Sequence, residues 1–240
     1  MPRRIGVEKI IDEPMKKYLI LLASGTGSRF GANCPKQFVE ICGKMVIEYT
    51  LEASDCGLFD EILLVVSAPY MDEMSTLCKK NAYKTPIRVV EGGASRKESC
   101  ERGVAAIPES EGFVVIHNGV QPFITKHDYE RSLAALAKYP AVTSGAPCVY
   151  TILETDGNGV LKRMAPRSLC YGDSGPECFH LSLIRKVFEI GKADNEFTNL
   201  TGVVMKYGLG DIYVVEGNPK NIKITYPEDI IFAERIINGK

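Results

Sequence analysis

Short apolar runs alternating with helix-spaced stretches constrain this chain most. Residues 18–23, 61–67, 87–91 and 113–117 are each too short for a stable helix and nearly unbroken in apolar character. A strand without a polar face is buried on both sides, as in a parallel sheet covered by helices. Between these runs, residues 44–54, 70–80, 95–106 and 126–138 carry apolar side chains at helical spacing. The alternation predicts an α/β fold: a Rossmann-like, mostly parallel sheet with helices on both faces and right-handed crossovers. At 240 residues the chain suits one large domain, expected over 18–240, after an N-terminal extension over 1–17.

The rhythm changes near Pro140. The turn Asp156-Gly157-Asn158-Gly159 lies between two β-type runs, which predicts a hairpin within 141–166. A projecting hairpin has no core of its own, so it either packs on a partner subunit or stands as a surface feature. A helix is expected over 181–190 and strands over 211–216 and 221–225. A last helix over 228–238 is expected to follow Pro227, with Thr225 as its N-cap.

Bulk properties exclude several function classes. A formal net charge of -1 gives no general attraction to nucleic acid or anionic membranes. No apolar run approaches the roughly 20 residues of a membrane helix, and residues 1–17 lack a secretory apolar core. The eight cysteines contain no C-x-x-C pair, which argues against zinc and for reduced thiols in a cytoplasmic protein. His117, at a strand end, reads as a packed, hydrogen-bonded histidine. Neither a Ser-His-Asp pattern nor H-E-x-x-H stands out.

The first expected strand runs into Ser24-Gly25-Thr26-Gly27-Ser28-Arg29-Phe30, and Pro35-Lys36-Gln37 follow. A small-residue turn after a first parallel strand lets backbone N–H groups approach phosphate oxygens. Phe30 stands where a dinucleotide fingerprint needs glycine, and Gly43-Lys44-Met45 lacks the hydroxyl residue of a Walker loop. A turn with two cations, Arg29 and Lys36, suits a triphosphate whose leaving pyrophosphate gathers charge.

These residues resemble a known family. The pattern Gly25-x-Gly27-x-Arg29, Pro35-Lys36-Gln37-Phe38 and Gly43-Lys44 is similar to that of the cytidylyltransferases acting on 2-C-methyl-D-erythritol 4-phosphate and ribitol 5-phosphate. So are Gly92-Gly93-Ala94-Ser95-Arg96-Lys97-Glu98-Ser99 and the block from His117 to Phe123. The segment from Gly217 to Asp229, with Asn221-Ile222-Lys223 and Pro227-Glu228-Asp229, resembles the family's ending. The blocks keep the family's order from residue 18 onward. The resemblance implies a nucleotide-diphospho-sugar transferase type fold and transfer of CMP from CTP to a small polyol phosphate, with release of pyrophosphate. Within it, Ala23, Ser24, Gly25, Thr26 and Gly27 line the nucleotide, Gly93 and Ser99 read its cytosine edge, and Arg96 is a further nucleotide contact. Arg29, Lys36 and Lys223 are the implied catalytic cations. Thr151 and Arg167 are the implied acceptor contacts from a neighbouring subunit's arm, and Gln121 stands on the acceptor side. The resemblance further implies Mg2+, a homodimer, and no nucleic-acid or membrane partner.

The chain departs from the family's pattern at several places. Asn118 stands where the family has an aspartate that binds Mg2+, and Gln121 where it has arginine. Tyr150-Thr151-Ile152-Leu153 replaces Asp-Thr-x-Lys, Ser174-Gly175-Pro176-Glu177 replaces a Gln-Thr-Pro-Gln stretch, and Thr198-Asn199-Leu200 replaces Thr-Asp-Asp. Triphosphate and base positions are retained, whereas metal and acceptor positions are altered. The expected activity is CTP-dependent cytidylyl transfer; the alternative is a CTP-binding homologue with a regulatory or structural role.

Overall fold

The computed structural model describes residues 15–25, 30, 34–191 and 199–239. Most of the expected extension, residues 1–14, lies outside that set. The elements are β1 (Lys17–Ala23), β2 (Glu40–Ile41), β3 (Lys44–Met45), α1 (Val46–Ser54), β4 (Glu61–Val66) and α2 (Met71–Asn81). There follow β5 (Ile87–Glu91), α3 (Arg96–Ala105), β6 (Phe113–Asn118), α4 (Lys126–Leu136), β7 (Ala141–Pro147), β8 (Ile152–Thr155) and β9 (Leu161–Ala165). Last come β10 (Tyr171–His180), α5 (Leu181–Ile190), α6 (Leu200–Lys206), β11 (Ile212–Glu216) and α7 (Glu228–Ile237).

Seven strands form one sheet in the order β11-β7-β10-β6-β1-β4-β5. All neighbours pair in parallel except β10, which runs antiparallel to both β6 and β7. The alternation of side chains along each strand divides the core in two. Ile20, Leu22, Leu63, Val65, Val114 and Ile116 pack on one face with residues of α3, α5 and α6. Leu19, Leu21, Leu64, Val66 and Val115 pack on the other with residues of α1, α2 and α4. None of the described helices is long and apolar enough to cross a membrane.

The chain leaves β1 toward β4 and β5 on one side, while β6 adds on the other. This reversal opens a crevice beyond the carboxyl ends of β1 and β6, where open α/β sheets bind ligands.

Several sequence expectations shift. Lys44 and Met45 belong to the β2–β3 hairpin, and α1 begins only at Val46. Residues 221–225 pair with no strand among the described residues; the N–H of Ile224 instead donates to the Val120 carbonyl at 2.9 Å. Thr225 does not cap α7, whose N-cap is Pro227. The carboxylate of Asp229 instead accepts from the N–H groups of Thr225 at 2.7 Å and Tyr226 at 2.8 Å. Within 141–166, β7 joins the central sheet, and β8 with β9 forms a separate hairpin. Its turn places Gly157 at φ 87° and Gly159 at φ 89°, a backbone region that glycine enters without Cβ strain.

Candidate active site

The crevice beyond β1 and β6 holds a cavity of about 330 Å3, lined by Ala23, Ser24, Gly25, Lys36, Gln37, Gly93, Ser95, Arg96, Ser99, Asn118 and Lys223 among others. Four parts of the chain build it, and each is tied down from beneath.

The turn after β1 is held by Gln37, which is 1% exposed. Its Nε2 donates to the Ala23 carbonyl at 2.7 Å and to the Gly25 carbonyl at 3.1 Å. With these two carbonyls engaged by Gln37, Ser24 and Gly25 stand on the cavity wall. Lys36, immediately before Gln37, is thereby placed on the cavity wall.

The opposite wall is the loop from β5 into α3. Ser95 caps α3 by accepting from the Glu98 N–H, a strong helix-start device. The Glu98 carboxylate reaches back to the Ala94 N–H at 2.8 Å. Arg102 donates to the Gly92 carbonyl at 3.0 Å and to Glu98 at 2.9 Å. Close packing explains both glycines. A Cβ on Gly93 would lie 2.2 Å from Glu98 side-chain atoms, and one on Gly92 would lie 2.7 Å from the Cβ of Ser24. The two walls meet where the Ser24 and Ser99 hydroxyls stand 2.8 Å apart, with the Gly93 N–H donating to Ser99 Oγ at 3.1 Å. A hydroxyl and main-chain groups side by side can read the edge of a base.

Lys223 enters from the segment before α7. Its neighbour Ile224 is fully buried against Phe30, Ile41, Val46 and Val120, so packing below holds the lysine at the cavity above. Cations from three separate parts of the chain, Lys36, Arg96 and Lys223, thus stand around the cavity, and no carboxylate lines it among the described residues. Such a wall is suited chemically to a polyanion.

Comparison with known proteins agrees with this chemistry. The family model IspD, 2-C-methyl-D-erythritol 4-phosphate cytidylyltransferase, matches residues 18–239. A protein of that name from Thermosipho melanesiensis is 33% identical over 214 residues, covering 88% of this chain and 93% of its own. One from Halalkalibacterium halodurans is 31% identical, covering 94% of this chain and 99% of its own. The crystal structure of 4-diphosphocytidyl-2C-methyl-D-erythritol synthase from Anaerococcus prevotii superposes with a TM-score of 0.83 at 29% identity, over 93% of this chain and 99% of that one. The chain belongs to the IspD family. It is therefore a nucleotidyltransferase of the cytidylyltransferase class.

Against this family background the sequence-derived residues fall into four groups, the last being Gln121 alone. Ala23, Ser24, Gly25, Lys36, Gly93, Arg96, Ser99, Asn118 and Lys223 come together around the cavity. Thr26, Gly27 and Arg29 lie outside the described residues. Thr151 and Arg167 do not reach the cavity of their own chain. They lie exposed at the base of the β8–β9 hairpin, where Arg167 Nη1 meets the Val149 carbonyl at 3.4 Å.

Gln121, expected on the acceptor side, is only 4% exposed and is hydrogen-bonded to Asn118. Its Nε2 faces the main-chain carbonyls of Ser174 at 3.3 Å and Asn221 at 3.4 Å. Carbonyls only accept, so Gln121 must present its NH2 to them and its Oε1 to Asn118. Asn118 accordingly donates from Nδ2 to that oxygen at 2.6 Å. This chain of hydrogen-bond polarities leaves Oδ1 as the face of Asn118 that serves the cavity.

His117 is fully buried, with one ring nitrogen 3.0 Å from the Gln121 carbonyl. Burial pushes its pKa down to about 4, so it is neutral near pH 7 and serves as packing, as its sequence context implied.

The fit of a divalent cation follows from the donor set. No group of three or more His, Cys, Asp or Glu side chains is arranged to hold a metal among the described residues. Asn118 contributes one neutral oxygen. Mg2+ commonly takes few protein ligands and several from substrate phosphates and water. These residues fit a cation carried in on the triphosphate, with Asn118 Oδ1 as the side-chain oxygen that would meet it.

Gln37 and Glu177 stand in the sequence only as parts of longer motifs; their burial, 1% exposed each, is what marks them.

Proposed function

We propose that this protein transfers CMP from CTP to 2-C-methyl-D-erythritol 4-phosphate, releasing pyrophosphate. The observation that carries this reading is the cavity that joins Lys36, Arg96 and Lys223 to the Ser24–Ser99 hydroxyl pair in a chain of the IspD family. A phosphate oxygen of the acceptor attacks the α-phosphorus of CTP in line with the departing pyrophosphate. One P–O bond forms as the bond from Pα to the bridging oxygen breaks. The attacking oxygen is already anionic, so no general base is required. Catalysis consists of alignment and of neutralising negative charge on the phosphates. Lys223 is suited to the α-phosphate, and Lys36 to the triphosphate chain that leaves. Bound Mg2+ would supply further neutralisation of phosphate charge beside Asn118.

The acceptor site is proposed to be completed by a second copy of the chain. Val149 is 73% exposed, Tyr150 79% and Leu169 77%, and they flank Thr151 and Arg167. Apolar side chains this exposed at the base of a projecting hairpin suit burial against a partner, and a homodimer would carry both polar residues to the partner's cavity. All eight cysteines are free thiols, which suits a reducing cytoplasm.

The test is pyrophosphate release from CTP and Mg2+ with 2-C-methyl-D-erythritol 4-phosphate, with ribitol 5-phosphate as the competing acceptor. Release with the former alone is the expected result. CTP binding without release from either acceptor would reject the enzymatic reading in favour of a binding role.

A further inference from the structure

Glu177 lies in β10 with its side chain 2% exposed, and the reaction chemistry gives it no task. A buried carboxylate is costly unless it is paired and hydrogen-bonded. Here both oxygens are engaged. Oε1 accepts from the N–H groups of Leu200 at 2.8 Å and Thr201 at 2.9 Å, and from the Thr201 hydroxyl at 3.1 Å. Oε2 accepts from Nη2 of Arg96 at 2.9 Å. One carboxylate thus joins the first turn of α6 to the first residue of α3, and that arginine lines the nucleotide cavity. The anchor is rigid, because Glu177 pairs with Ile116 in the centre of the sheet, two residues before Asn118.

Arginine on a helix end has many rotamers, and a planar guanidinium held by a fixed acceptor is pre-organised for its next partner. We propose that Glu177 is a positioning residue for CTP: its carboxylate holds the Arg96 guanidinium at the cavity wall, so that the nucleotide meets it already oriented. The proposal rests on CTP being the ligand of this cavity.

Glutamine at this position separates positioning from simple structural support. It offers one acceptor oxygen in place of two. The three donors on α6 outnumber the single one from Arg96, so the oxygen stays with α6 and the NH2 turns toward the guanidinium. Two donors then face each other and the hold of residue 177 on Arg96 is lost, while the volume and the α6 anchor are kept.

The experiment is a double-mutant cycle on CTP affinity by titration calorimetry, using Glu177→Gln, Arg96→Gln and the pair, with thermal midpoints recorded alongside. Glu177→Gln is expected to weaken CTP binding by about fivefold or more, and to have no further effect in the Arg96→Gln background. Removing the carboxylate also leaves the cavity more positive, which alone would tighten a triphosphate. Unchanged or tighter CTP binding by Glu177→Gln therefore overturns the proposal, as does full additivity in the pair. Should the glutamine variant not fold, Arg96→Lys keeps the buried charge paired but loses the planar fork; unchanged CTP affinity there overturns the proposal equally. A parent protein that binds no CTP would overturn the CTP reading itself, and this proposal with it.

Discussion

Aspartate at position 118 would bring a negative charge to the cavity, yet the structure predicts that this change alone damages the site. In Asn118→Asp, a carboxylate oxygen replaces the Nδ2 that lies 2.6 Å from Gln121 Oε1. Two acceptors then face each other. Gln121 can relieve this only by turning its amide over, which sets its carbonyl against those of Ser174 and Asn221, now at 3.3 and 3.4 Å from Nε2. Either arrangement leaves a buried acceptor without its donor, at a cost of about 1–3 kcal/mol. For a domain of this length, about 2 kcal/mol lowers the thermal midpoint by roughly 4–8 °C. Arginine at position 121 resolves the conflict, because a guanidinium can donate to the carboxylate and to both carbonyls. The assay is thermal unfolding of the parent, Asn118→Asp, Gln121→Arg and the pair, without metal or nucleotide. The single aspartate variant should melt lower and the pair should regain most of the loss. A single variant as stable as the parent, with no gain from arginine, would refute the polarity argument that orients Asn118.

Three further outcomes follow from the same geometry. His117 has a pKa of about 4 in the folded protein against 6.5 for the free side chain, so the unfolded chain takes up a proton first as pH falls. Its contribution is fully present above pH 6.5 and is lost as pH falls toward 4; it amounts to roughly 3 kcal/mol, and denaturant unfolding of His117→Gln across that range should show a shallower decline. Gln37→Leu strips the donor from the Ala23 and Gly25 carbonyls and should weaken CTP binding by about tenfold in calorimetry, the effect of roughly 1.4 kcal/mol. Leu169→Asp should shift the protein from dimer to monomer in analytical ultracentrifugation and abolish acceptor-dependent turnover while CTP still binds; a monomeric parent would remove the basis for the shared acceptor site.

Apart from the β2–β3 hairpin, the strands and helices from residue 17 to 136 were legible because each has a local cause. Unbroken apolar runs have to be buried on both faces, and helical spacing gives a single sticky face. The strand β10 was not legible: Gly172, Gly175 and Pro176 interrupt its pattern, and only its antiparallel place between β6 and β7 makes it a strand. The seven residues of α6 are too few for a periodic signal. Residues 221–225 read as a strand from sequence, yet the buried positions are Asn221 and Ile224, three apart, and no described strand pairs with them.

The site divides in the same way. The residues from Ala23 to Gly25 and Lys36 could be chosen from sequence because a phosphate cradle and its cations have a characteristic local spelling, whereas Gly93, Ser99 and Lys223 were implied by the resemblance to the family's motifs. Local spelling cannot supply the direction of a side-chain amide or the destination of a buried charge. Those depend on which carbonyls and N–H groups arrive from distant parts of the chain. Ser174 and Asn221 decide how Gln121 and Asn118 point. The first turn of α6 decides how Glu177 shares its two oxygens with Arg96. The sequence by itself determined a nucleotide-binding α/β domain and the identity of most groups that face its ligand. Only the tertiary structure decided how those groups are oriented, because hydrogen-bond polarity is set by neighbours that are remote in sequence and adjacent in space.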